Sequence, residues 1–163
     1  MEKFSVYIET SIVSYLAAKP SRDLLIAGCQ QITAQWWEDR RKQYDLFTSE
    51  LVVAEAKAGN PDAAAKRLKL LREISELKIT DDIRRLAATL ILQGALPDKA
   101  QADALHIAIA TFHGIDYIVT WNCRHIDNPA MKPLIRKVCA MEGYSCPEIC
   151  TPIEIMEVNE NEK

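Results

Sequence analysis

Short apolar runs alternate along this chain with longer stretches whose apolar residues recur every three or four positions. The first run, residues 4–8, predicts a short buried strand. Glu9, Thr10 and Ser11 follow it, and then IVSYLAA, which suits a short helix that Thr10 or Ser11 can cap. Lys19-Pro20-Ser21-Arg22 breaks that helix. Ser21 opens a long one, about residues 22–42, whose apolar side takes Leu25, Ile32, Trp36 and one of Leu24 or Ile26. Residues 45–48 predict a second strand, and Ser49 a cap for LVVAEAKA with Glu50 in its first turn. Gly59-Asn60-Pro61 ends that helix and begins another, DAAAKRLKLLREI.

Residues 76–79 predict a third strand, and Thr80 caps a helix closed by Gly94. KAQADALHIAIATFHG is a strong helix ending at Gly114, and residues 115–120 are the clearest buried strand. After the polar corner WNCRHIDNP come a helix at about residues 130–142 and a last short strand at 148–150. Thr151-Pro152-Ile153-Glu154 combines a cap, a proline at the first helical position and an acid three residues after the cap. Apolar strands alternating with amphipathic helices argue for an α/β fold, a parallel sheet covered by helices on both faces. No repeat, low-complexity segment or linker divides the chain, so residues 1–158 read as one domain and 159–163 as a solvated tail.

Composition changes this picture little. The 163 residues suit one core, and 48% hydrophobic with 26% charged is the usual globular balance. No apolar run is long enough to span a bilayer, and acids interrupt the N-terminus too early for a secretory signal, which makes the cytoplasm the expected compartment. A net charge of -3 counts against a broadly electrostatic nucleic-acid binder but leaves room for a local basic patch. Of the five cysteines, Cys139, Cys146 and Cys150 could join His125 around zinc, but the spacing lacks paired knuckles, and buried thiols are the expected reading.

The candidate chemistry is acidic. Sites in open α/β sheets form at the carboxyl ends of strands near a switch in strand order. Glu9 directly follows the first strand, and Asn122 lies two residues past the IDYIVT strand. Glu55 and Asp103 each sit between alanines on mostly apolar helices, where a carboxylate is costly unless paired or metal-bound. Any one of them has an ordinary structural reading, as a cap partner, a solvated acid or half of an ion pair such as Lys99–Asp103. Together they suggest a cluster that either holds a proton or binds a hard cation. His106 shares a helix face with Asp103 and is expected either to meet a phosphate or to orient Asp103 or Asn122. Arg124 is the better phosphate candidate, and Trp121 is expected to pack in the core more than to stack on a base.

VYIETSIVSYL, TSELVVAEAKAG and ADALHIAIATFHGIDYIVTWN resemble, in order, the motifs of PIN-domain nucleases, over about residues 6–154. The likeness is greatest to the VapC-type toxin ribonucleases of type II toxin–antitoxin systems. That resemblance implies a three-layer α/β/α sandwich with a parallel sheet of about five strands. It implies an Mg²⁺- or Mn²⁺-dependent endoribonuclease that hydrolyses RNA with metal-activated water. Glu9, Glu55 and Asp103 match its acidic metal-binding and catalytic positions, and Asn122 its fourth. Thr10, Ser11, Thr120, Arg124 and His106 become candidate substrate contacts. The implied partners are RNA, a cognate antitoxin and a second copy in a homodimer, with no membrane. Glu9 stands where Asp is usual, and Asn122 replaces an acid. Those departures support an alternative, a weakened PIN domain that binds RNA or protein without cutting. A Mg²⁺-dependent phosphatase is disfavoured, because no Asp-x-Asp motif or Gly-rich phosphate loop is present.

Overall fold

Val6, Tyr7 and Ile8 have no exposed surface, and the strand they make, β1 (Ser5–Ile8), is the middle of a five-stranded sheet in this computed structural model, which describes residues 2–157. β1 pairs with β2 (Asp45–Ser49) on one side, Val6 opposite Leu46. On the other it pairs with β4 (Tyr117–Val119), Tyr7 opposite Ile118. β3 (Ser75–Leu77) lies outside β2, and β5 (Glu148–Cys150) outside β4. All four pairings are parallel, which explains why the inner strands read as continuous apolar runs: helices cover both of their faces.

The helices fall into two sets. α1 (Thr10–Ala17) and α2 (Leu24–Asp39) join β1 to β2, and α3 (Glu50–Ala56) and α4 (Pro61–Leu71) join β2 to β3; α1 touches the other three. α5 (Asp81–Leu92) and α6 (Gln101–Phe112) carry the chain back to β4, and α7 (Lys132–Met141) joins β4 to β5; α5 packs along α6 and against α7. Right-handed crossovers place the first set on one face and the second on the other. α8 (Pro152–Met156) packs against α2. The strand order β3-β2-β1-β4-β5 reverses between β1 and β4, so a crevice opens at the carboxyl ends of those two strands. Gly114, at φ +68°, ends α6 in the left-handed region and lets the chain turn directly into β4.

This is the α/β sandwich expected from the pattern, with differences at the ends of elements. The long helix spans Leu24–Asp39 rather than residues 22–42, and Asp23, not Ser21, caps it through hydrogen bonds from the backbone of Leu25 and Ile26. Its first turn projects past the core, leaving Leu24 89% and Leu25 83% exposed, so the buried side begins only at Thr33 and Trp36. Glu9 caps α1 in place of Thr10 or Ser11. The third strand is Ser75–Leu77, not 76–79. The domain end at 158 and the tail 159–163 lie outside the described residues. Among the described residues no helix is long and apolar enough to cross a membrane.

Ile118 is fully buried at the centre of β4, so Ile118→Ala should cost about 2–5 kcal/mol in urea unfolding. Leu92→Ala, 84% exposed on α5, should stay within about 0.5 kcal/mol of the parent. Equal losses would contradict the placement of the core.

Candidate active site

The crevice between β1 and β4 is built around Glu9. The residue is 6% exposed, a costly position for a carboxylate without donors. The hydroxyls of Ser11 and Thr120 both donate to its Oε1 at 2.5 Å, and the Ser11 backbone N–H donates to Oε2 at 3.1 Å. Each hydroxyl also accepts a backbone N–H from the segment leaving β4: Trp121 to Ser11 Oγ at 2.8 Å, Asn122 to Thr120 Oγ1 at 2.9 Å. Glu9 therefore ties the start of α1 to the exit of β4, with its charge at a helix N-terminus.

Asn122 extends the network. Its Nδ2 donates to Asp103 Oδ1 at 3.0 Å, and its Oδ1 accepts the N–H of His125 at 3.1 Å. His125 Nδ1 lies 2.8 Å from the other Asp103 oxygen. Glu55, across the crevice on α3, accepts from Thr10 Oγ1 at 2.7 Å and meets His106 Nε2 at 2.6 Å. Behind His106, Nδ1 lies 2.7 Å from the Tyr7 hydroxyl, which lies 2.8 Å from Ser49 Oγ, which accepts the Val52 N–H. Ser49, Tyr7, His106 and Glu55 thus form one continuous chain of hydrogen bonds from the end of β2 to the crevice. Burial raises the Tyr7 phenol well above its ordinary value, so it stays protonated. Burial also pushes the Glu55 carboxyl up, but the hydrogen bond and charge of His106, with the bond from Thr10, outweigh it and leave Glu55 below its ordinary value.

The expected site residues Glu9, Thr10, Ser11, Glu55, Asp103, His106, Thr120 and Asn122 thus join one of two adjoining hydrogen-bonded clusters. Within them, Thr120 and His106 are buried and face Glu9 and Glu55 rather than solvent. His106 orients Glu55, not Asp103 or Asn122 as its helix face suggested; His125 holds Asp103 instead, and no Lys99–Asp103 pair is seen among the described residues. The acids are therefore less short of basic partners than the sequence implies. Arg124 is exposed in the corner after β4. Trp121 donates its indole N–H to Thr33 and packs beside Tyr15. Tyr7 and Ser49 were not anticipated as site residues; the available signal was a tyrosine, with its polar tip, in an otherwise apolar strand.

By type, three carboxylates and an amide oxygen suit a hard cation such as Mg²⁺ or Mn²⁺. By position they do not yet make a centre: among the described residues no three His, Cys, Asp or Glu side chains come together as a metal ion requires. The oxygens of Glu9 and Asp103 are committed to protein donors. Nor do Cys139, Cys146 and Cys150 join His125 in a zinc site among the described residues: Cys139 and Cys150 are buried, and His125 meets Asp103.

No family model and no curated protein matches the sequence. Solved structures do resemble the fold. The sarcin–ricin-loop-cleaving toxin VapC20 of Mycobacterium tuberculosis is 18% identical, with a TM-score of 0.53 over 69% of this chain and 86% of that one. A chain of VapBC2 from Rickettsia felis, solved on a promoter DNA fragment, is 14% identical, TM-score 0.58, covering 91% and 98%. A chain of VapBC-1 from nontypeable Haemophilus influenzae is 14% identical, TM-score 0.55, covering 92% and 99%. At these identities the likeness is one of fold, and that fold is the one found in VapC toxins.

Two outcomes test the site geometry. Glu55 is depressed in the folded state, so its contribution is present above its unfolded value of about 4.3 and lost as pH falls through the folded one. The stability gap between the parent and Glu55→Gln should be open at pH 7 and close in acid; a gap constant with pH would contradict the pairing. Asn122→Asp removes the N–H donor to Asp103 and puts two carboxylates about 3 Å apart. It should lower neutral-pH stability by about 1–3 kcal/mol and recover as the acids protonate. An unchanged melting temperature would show Asn122 facing elsewhere.

Proposed function

We propose that this protein is an endoribonuclease and the toxin half of a toxin–antitoxin pair. The observation that carries the reading is that Glu9 is linked through Thr120 and Asn122 to Asp103, and Glu55 to Thr10 beside Glu9, at the strand-order switch of a VapC-type fold. A divalent cation, Mg²⁺ or Mn²⁺, belongs to the same proposal: it would neutralise the phosphate and acidify a water there, which carboxylates alone cannot do for an anionic substrate. Taking it up requires Glu55 and Asp103 to give up protein donors they now hold.

The chain's own residues would act as follows. Water attacks phosphorus opposite the 3′ oxygen, its proton passes to a carboxylate, and the P–O3′ bond breaks as that oxygen is protonated. Glu55 is the best-placed acceptor, because it is 36% exposed on its side chain and oriented by His106. Glu9, enclosed by three donors, sets the geometry. Arg124 is the candidate for a flanking phosphate. Products would carry 5′-phosphate and 3′-hydroxyl ends. An antitoxin partner, a homodimer and a cytoplasmic location are part of the proposal and rest on the resemblance.

The committed oxygens of Glu9 and the amide at Asn122 favour a second reading, a domain that binds RNA or a protein partner without cutting. Incubation with structured RNA and Mn²⁺ separates the two. The enzyme reading expects cleavage in unpaired segments, abolished by EDTA and lowered at least about 100-fold in Asp103→Asn and Glu55→Gln. Absence of cleavage, or cleavage equal in the variants, contradicts it.

A further inference from the structure

We propose that a basic groove around the far end of α1 binds the backbone of single-stranded RNA and leads it toward the acids. The choice of RNA over other polyanions rests on the functional reading above. The groove, about 1110 Å³, lies between the end of α1, the end of α2, α4, and the starts of β2 and β3. Six cations line it: Lys19, Arg41, Lys42, Lys66, Lys69 and Arg72. Only Asp45 and Glu73 oppose them there, which leaves fourteen cations against twenty-one acids in the rest of the chain.

The cations are not held by the protein. Lys19, Lys42, Lys66, Lys69 and Arg72 are exposed and form no ion pair among the described residues. Arg41 alone is engaged, donating to the Trp37 carbonyl with its guanidinium 5.1 Å from the indole centroid. Lys66 and Lys69 are three apart on α4 and point along one helix face. Six like charges opposed by only two acids repel one another and contribute nothing to folding, so the arrangement points to a polyanion. The partly buried Trp37 under Arg41 supplies a planar guanidinium–indole surface of the kind on which bases stack.

α1 connects groove and crevice. Its first residue, Thr10, donates to Glu55, and Leu16 and Ala17 in its last turn line the groove. Eight helical residues span about 12 Å, within reach of a few nucleotides. A chain of net charge -3 would thereby gain the local positive field that its acids deny it.

The test is fluorescence anisotropy with a labelled single-stranded oligouridylate in EDTA, so that binding is read without cleavage. The groove variant is Lys66→Glu, Lys69→Glu and Arg72→Glu together; a charge-matched control reverses Lys3, Lys99 and Lys137, which lie outside the groove. Both are first checked for the parent melting transition. The groove variant should bind at least about tenfold more weakly, and its log Kd against log salt should flatten by about 2, three lost phosphate contacts at about 0.7 each. The control should keep the parent slope. Equal weakening in both variants, no binding by the parent, or displacement of the RNA by polyglutamate as readily as by unlabelled RNA would overturn the groove. Groove-dependent binding by a protein that never cuts would instead fail the functional reading and leave the groove standing.

Discussion

The site depends on satisfying one carboxylate, Glu9, in a place almost closed to water. Burying it would cost several kcal/mol without donors, and the protein supplies two hydroxyls and a backbone N–H. The same hydroxyls accept the N–H groups of Trp121 and Asn122. Satisfying Glu9 thus also sets the direction in which the chain leaves β4. That direction delivers Asn122 to Asp103 and His125 to its other oxygen. From Glu9's neighbour Thr10, a hydroxyl reaches across to Glu55, whose histidine is anchored through Tyr7 to Ser49 at the end of β2. Three strand ends are joined through polar groups that the parallel sheet brings side by side.

Much of this was legible in the residues, for a physical reason. A parallel sheet buries its inner strands on both faces, so VYI and YIV stand out as apolar runs, and the polar residues within three positions after each run sit at the crevice. Glu9 and Asn122 could be found that way. Glu55 and Asp103 could be found because an acid among alanines on an apolar helix needs a partner. The partners themselves were not legible. Asp103 and His106 share a helix face, yet each meets a different neighbour, because packing between elements, not spacing within one, selects contacts. Leu24 and Leu25 failed for a similar reason: helical periodicity marks an apolar side but does not say where the helix outruns the core beneath it.

Net charge misleads in the same manner. A value of -3 describes the whole chain, while the fold gathers six cations, from the turns that follow α1 and α2 and from α4 and its C-cap, into one groove. They are separated by up to fifty-three positions in sequence, Lys19 to Arg72, and no short window along the chain brings all six together. The acids undergo the complementary gathering at the strand-order switch. Two opposed fields, one helix length apart, suit a substrate that is itself an anion and must be held before it is brought to carboxylates.

Glu9 and Thr120 form a coupled, buried hydrogen-bonded pair on which the site's geometry rests. A double-mutant cycle with Glu9→Gln and Thr120→Val, followed by urea unfolding at neutral pH, measures that coupling directly. The account predicts a coupling energy of about 1–3 kcal/mol, as expected for a buried hydrogen bond to a charged group. Losses that add within about 0.5 kcal/mol would show the two residues to be independent, and would contradict it.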